Sequence, residues 1–82
     1  MSMDDWMRSR ADALAAATGL DRAALELDDE AIDTILDIAA VAAHDSGART
    51  NAPLLCYLVG LVHGRHGGEL DDLVDAAVGK TA

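Results

Sequence analysis

Eighty-two residues, 51% of them hydrophobic, make one domain near the lower limit for a self-sufficient core. Twelve Asp and three Glu outweigh five Arg and one Lys, a net charge of −9. That balance weighs against binding a nucleic-acid backbone, which needs clustered cations to displace counterions, and against docking on anionic membranes.

Phenylalanine is absent and Trp6 and Tyr57 are the only aromatics, so the core must come from Leu, Ile, Val and Ala. Such a core favours closely spaced helices, and a marginal one gains from dimerisation. The first helix is expected over residues 3–18, capped by Ser2, with Asp4 and Asp5 favourably placed against its N-terminal dipole. Trp6, Met7, Leu14 and Ala17 form its expected inner stripe, with Ala13 and Ala16 filling close contacts. Gly19 stands where a left-handed C-terminal residue belongs. Residues 20–27 read as a connector with one short turn at 21–25.

The second helix, 29–45, carries Ile32, Ile35, Leu36, Ala39, Ala42 and Ala43 at three- and four-residue spacing, a clear amphipathic pattern. Asp33, Asp37 and His44 fall near the opposite side. Gly47 opens a loop, after which Thr50 or Asn51 can cap a third helix over 52–66. Pro53 suits its first turn, where no intrahelical N–H is needed.

This third helix is apolar nearly all round, which marks it as the central element. Ala52, Cys56, Gly60 and Gly64 recur every four residues, a narrow face with almost no side chains. Helical glycine costs about 1 kcal/mol against alanine, so this face is expected to sit close against the alanines of the second or first helix. Leu54, Leu58 and Leu61 point elsewhere and need a further helix or a second subunit, so a homodimer is expected. Gly67 and Gly68 break the chain. A fourth helix, 69–79, then aligns Leu70, Leu73, Val74, Ala77 and Val78. With no strand-like alternation of useful length, the pattern predicts an all-α, compact four-helix bundle around the apolar third helix.

Chemistry-bearing residues are sparse. Cys56 is the single cysteine, and its apolar neighbours favour a buried thiol over a nucleophile. The acidic N-terminal segment lacks the pattern of a signal peptide, and residues 52–62 fall short of the roughly 20 apolar residues that span a bilayer, so a cytoplasmic protein is expected. His63 and His66, spaced i and i+3, can bring two imidazoles to one metal ion, with His44 and Asp45 as further ligands. Equally, histidines near a helix C-terminus simply suit the macrodipole. Asp33 and Asp37 read as a solvated face. His44, Arg49 and the helix start at Asn51 form a further candidate, because a lone cation beside free N–H groups suits phosphates and carboxylates. Arg49 can instead pair with a nearby Asp. No nucleophile or oxyanion hole accompanies these groups, so neither an enzyme nor a cofactor is expected.

Residues 39–68 carry Ala43-His44, Arg49, Ala52-Pro53-Leu54, Tyr57-Leu58-Val59-Gly60 and Gly64-Arg65 with Gly67-Gly68. This order resembles a small all-helical domain common in actinobacteria, and Trp6 and Gly19-Leu20 resemble its N-terminal half. Members of that family stand alone, or beside or fused to the molybdenum-cofactor guanylyltransferase. The resemblance implies an accessory role near molybdopterin guanine dinucleotide synthesis, with that nucleotidyltransferase as partner, and draws Arg65 into the partner-binding set. It implies no catalysis, because the transferase's glycine-rich nucleotide loop is missing here. Where the family usually has Thr after Ala-Pro-Leu, this chain has Leu55 and Cys56.

Two readings of function follow. One is a non-catalytic helical interaction module linked to molybdenum-cofactor biosynthesis, contacting its partner through His44, Arg49, Asn51 and Arg65. The other is a small-ligand or metal-binding protein using His44, Arg49, His63 and His66.

Overall fold

The computed structural model describes residues 3–79. They form four helices, α1 (Asp5–Thr18), α2 (Asp29–Ser46), α3 (Asn51–His66) and α4 (Leu70–Ala77), with a short 3-10 turn, Arg22–Leu25, between the first two. No strand occurs among the described residues, so the chain is all-α, with the helix count expected of a four-helix bundle. It divides into a first unit ending at Asp33 and a second beginning at Thr34, the boundary falling inside α2.

In the first unit Asp4 is the N-cap of α1, its carboxylate accepting from the Met7 N–H at 2.8 Å. Ser2, the cap expected from sequence, lies outside the described residues. Gly19 ends the helix at φ 76°, and its N–H donates to the Ala15 carbonyl at 2.8 Å. The connector folds back as the 3-10 turn and is bound to α1 by Arg8–Glu26 at 2.8 Å and Arg22–Asp12 at 2.6 Å. Met3 is buried, with its sulfur accepting from the Leu27 N–H at 3.3 Å.

This arrangement corrects the expected inner stripe of α1. Trp6 and Leu14 are 67% and 60% exposed, and Met7, Ala13, Ala16 and Ala17 are exposed as well. The buried residue is Ala11, with Ala15 half-buried one turn on. The covered line therefore runs through Ala11 and Ala15, flanked by the exposed Arg8 and Asp12 whose ion pairs anchor the connector beside it. Trp6 is met by Arg10 instead, the guanidinium 5.7 Å from the ring centroid.

In the second unit α2 buries Ile38 and Ala42, with Ile35, Ala39 and Ala43 half-buried, close to the stripe its periodicity predicts. Leu36 from that stripe remains half exposed, while Asp37 and His44 face solvent as expected. Ser46 closes the helix, its hydroxyl donating to the Ala42 carbonyl at 2.6 Å and accepting from the Ala48 N–H at 3.1 Å. Gly47, at φ 71°, turns the chain towards α3. Thr50 takes the N-cap position of α3 without a side-chain hydrogen bond.

The small-residue face of α3 does not pack as expected. A Cβ added at Gly60 or Gly64 would meet nothing within 4 Å. Helix geometry explains the outcome. Each four-residue step drifts about 40° around the axis, so Gly64 lies about 120° from Ala52. The inward line runs instead through Ala52, Leu55, Cys56 and Val59, of which Val59 is buried and the others half-buried. Cys56 Sγ lies 3.9 Å from the Ile35 carbonyl oxygen of α2. On the remaining circumference Leu54, Tyr57, Leu58 and Val62 are exposed, while Leu61 is half-buried. Helix α4 turns Leu70, Leu73, Val74 and Val78 inward, and Ala77 is exposed. No helix among the described residues is long and apolar enough to cross a membrane.

Candidate functional site

Three helix faces converge on a groove in the second unit. Helix α3 contributes Asn51, Leu54, Leu55 and Leu58, spaced i, i+3, i+4 and i+7, so all four lie on one face. Opposite them stand Val41, Ala42, Asp45 and Ser46 of α2, with Ala77 and Val78 at the end of α4. The open groove has a volume of about 500 Å³. A second hollow of about 310 Å³ shares Val41 and Val78 and continues between α2 and α4, past Thr34, Asp37, Ile38, Asp71, Val74 and Asp75.

The first hollow is mainly apolar, with Asp45 its one acidic lining residue, and the second, continuous with it, adds Asp37, Asp71 and Asp75. Leu54 and Leu58 of the first are 61% and 57% exposed, and Val41 is also accessible. Four aspartates, Asp37, Asp45, Asp71 and Asp75, line the two hollows, and no Lys or Arg does. The Thr34 hydroxyl donates to Asp71 at 3.1 Å, and His44 Nδ1 lies 3.5 Å from Asp45. Asp37 and Asp75 form no hydrogen bond or ion pair among the described residues. Such a surface can hold apolar side chains and attract cations at its edges.

Of the candidate binding residues singled out from sequence, Asn51 and Asp45 line this groove. His44 stands in the last turn of α2 with its side chain 91% exposed. Arg49 occupies the exposed turn before α3, where its carbonyl accepts from the Ala52 N–H at 3.1 Å. Its guanidinium has no partner among the described residues. Arg65 is exposed in the last turn of α3.

The two remaining histidines belong to the far end of that helix. His63 Nε2 lies 3.1 Å from the Gly68 carbonyl oxygen, and His66 Nδ1 lies 3.1 Å from that of Gly67. Each ring can donate one N–H there and tie the helix end to the glycine turn. His63 follows Asn51 by twelve residues, about 18 Å of helix rise, which separates both imidazoles from the turn carrying His44 and Arg49. The four residues of the ligand-binding reading therefore do not converge. Among the described residues no three His, Cys, Asp or Glu side chains group to hold a metal ion.

The groove residues that the sequence reading did not assign to a site are Val41, Leu55, Ala77 and Val78. Leu54 and Leu58 carried a legible signal, since both were left without cover on α3.

Fold and site together define an all-α protein whose second unit presents an apolar, acid-rimmed groove. The chain matches, over residues 1–82, the family described as Domain of unknown function (DUF6457), and it belongs to that family. No curated protein and no solved structure matches it.

Proposed function

We propose that this chain is a non-catalytic helical interaction module, acting in the cytoplasm, that receives a protein partner in the groove of its second unit. The observation that carries the reading is the exposure of Leu54 and Leu58 on a face shared with α2 and α4. Burying two leucines against a partner stabilises a complex by several kcal/mol in principle, about 1.5–3 kcal/mol for each fully covered side chain. The resemblance of residues 39–68 directs the search for that partner to molybdenum-cofactor biosynthesis, and to its guanylyltransferase first.

The test is affinity capture from the native host with the wild-type chain and with a Leu54→Gln/Leu58→Gln variant, compared by quantitative mass spectrometry. The expected result is a cofactor-biosynthesis protein recovered by the wild type and lost from the variant. Equal recovery by both chains removes the groove from the reading. Recovery of partners without any link to molybdenum enzymes removes the pathway and leaves the module.

A further inference from the structure

We infer that the occupant of the groove is a basic amphipathic helix of about three turns, with apolar anchors on one face and Lys or Arg along its edges. This rests on the proposed docking role of the groove and adds the chemistry of the partner. Length comes first. Along α2 the lining residues of the two hollows run from Thr34 to Ser46, thirteen residues, a rise of about 18 Å or three helical turns. An amphipathic helix laid in an apolar groove offers anchors at i, i+3 or i+4, and i+7, a span of about 10 Å that fits within this length, with Leu54, Leu55 and Leu58 in the first hollow and Ile38 and Val74 in the second.

Charge selects the edges of that helix. Asp37, Asp45, Asp71 and Asp75 rim the hollows with no cation among the lining residues. Low-dielectric walls beneath them focus their field, so cationic side chains are attracted and carboxylates repelled. The same rim argues against a second copy of the chain. A symmetric dimer through this face would set one acidic rim against another, in a protein that already carries −9.

The experiment titrates the full chain with three fluorescent helical peptides by anisotropy. One carries a leucine face with Lys edges, the second the same face with Glu edges, and the third Lys edges with Gln in place of leucine. The first is expected to bind about tenfold or more tightly than either of the others. Leu54→Gln/Leu58→Gln is expected to weaken it by a similar factor without changing net charge, with circular dichroism confirming the fold. Asp37→Asn/Asp71→Asn/Asp75→Asn should erase the preference for Lys over Glu edges.

Equal affinity for the Lys- and Glu-edged peptides overturns the inference while leaving the groove a docking face. Undiminished binding of the Gln-faced peptide overturns it too, because charge alone would then suffice. Sedimentation showing a dimer that the leucine variant dissociates would make a second copy the occupant. If partner capture from the host is also indifferent to the leucine variant, the docking role itself fails, a result separate from the peptide preference.

Discussion

The two units of this chain are held by different kinds of interaction. In the first, a short connector is bound to α1 by guanidinium–carboxylate pairs, and the buried residues are Met3 and Ala11. Its depression of about 730 Å³ is lined by Arg8, Glu26, Asp28, Asp29 and Glu30, with Leu27 the one apolar member. In the second, Ile38, Ala42 and Val59 form the buried set, and the concavity beside them is lined with leucine and valine. Polar pairing specifies where two elements meet but contributes little net stability at a surface. Apolar packing stabilises, and whatever it leaves uncovered is available to a partner. Part of the exposed apolar surface of the second unit, Val41, Leu54 and Leu58, lines a groove, whereas Trp6 and Leu14 of the first line none of the hollows described.

The largest expected effect is at Ile38, which is 2% exposed. Ile38→Ala should cost about 2–5 kcal/mol by loss of transfer energy and creation of a cavity, read as a shift of the urea midpoint by circular dichroism. Amide exchange should rise first in α3 and α4. A loss below about 1 kcal/mol would mean that apolar packing is not what holds the second unit.

Next comes Asp4 in the first unit. Its carboxylate satisfies the Met7 N–H at the helix start, so Asp4→Ala should cost about 1 kcal/mol. The change should accelerate exchange in the first turn of α1 and leave α3 untouched. Equal acceleration in both units would dissolve the distinction between them.

Local signals in the sequence were legible where the chain's own period or backbone decides the result. The Ile35–Ala39–Ala42–Ala43 pattern of α2 and the left-handed Gly19 are of this kind. The face of α1 was not, because its partner is a connector held by the exposed ion pairs of Arg8 and Asp12, and apolar periodicity alone favours Trp6 and Leu14. The contacts of His63 and His66 with the Gly68 and Gly67 carbonyls, 3.1 Å each, depend on the fold of the glycine turn and carry no signal in residue spacing. The groove was half legible. Leu54 and Leu58 stood out as uncovered, but its rim brings together Asp37 and Asp45 of α2 with Asp71 and Asp75 of α4. Residues so far apart in the chain are related only by the packing of those helices.

Gly60 offers a change of opposite sign. A small-residue face invites the expectation that alanine would clash, yet a Cβ there would meet open space. Gly60→Ala should therefore raise stability by up to about 1 kcal/mol through helix propensity, read as a higher urea midpoint. Destabilisation would show that another backbone does approach α3, in an assembly of this chain or within it.

The smallest expected effect belongs to the ion pairs of the first unit. Arg22 serves two carboxylates, reaching Asp12 at 2.6 Å and Glu26 at 3.4 Å. Asp12 is 69% exposed and Glu26 44%, so solvent and salt screen both contacts. Arg22→Met keeps most of the aliphatic stem, separating the loss of charge from the loss of packing. The expected cost is about 0.2–1 kcal/mol at low ionic strength, and wild type and variant should become equal near 1 M salt, where the Debye length is about 3 Å. A cost that persists in high salt would show that Arg22, which is half-buried, acts through the packing of its stem. The first unit would then be packed in the same sense as the second, and the contrast between them would narrow to the groove alone.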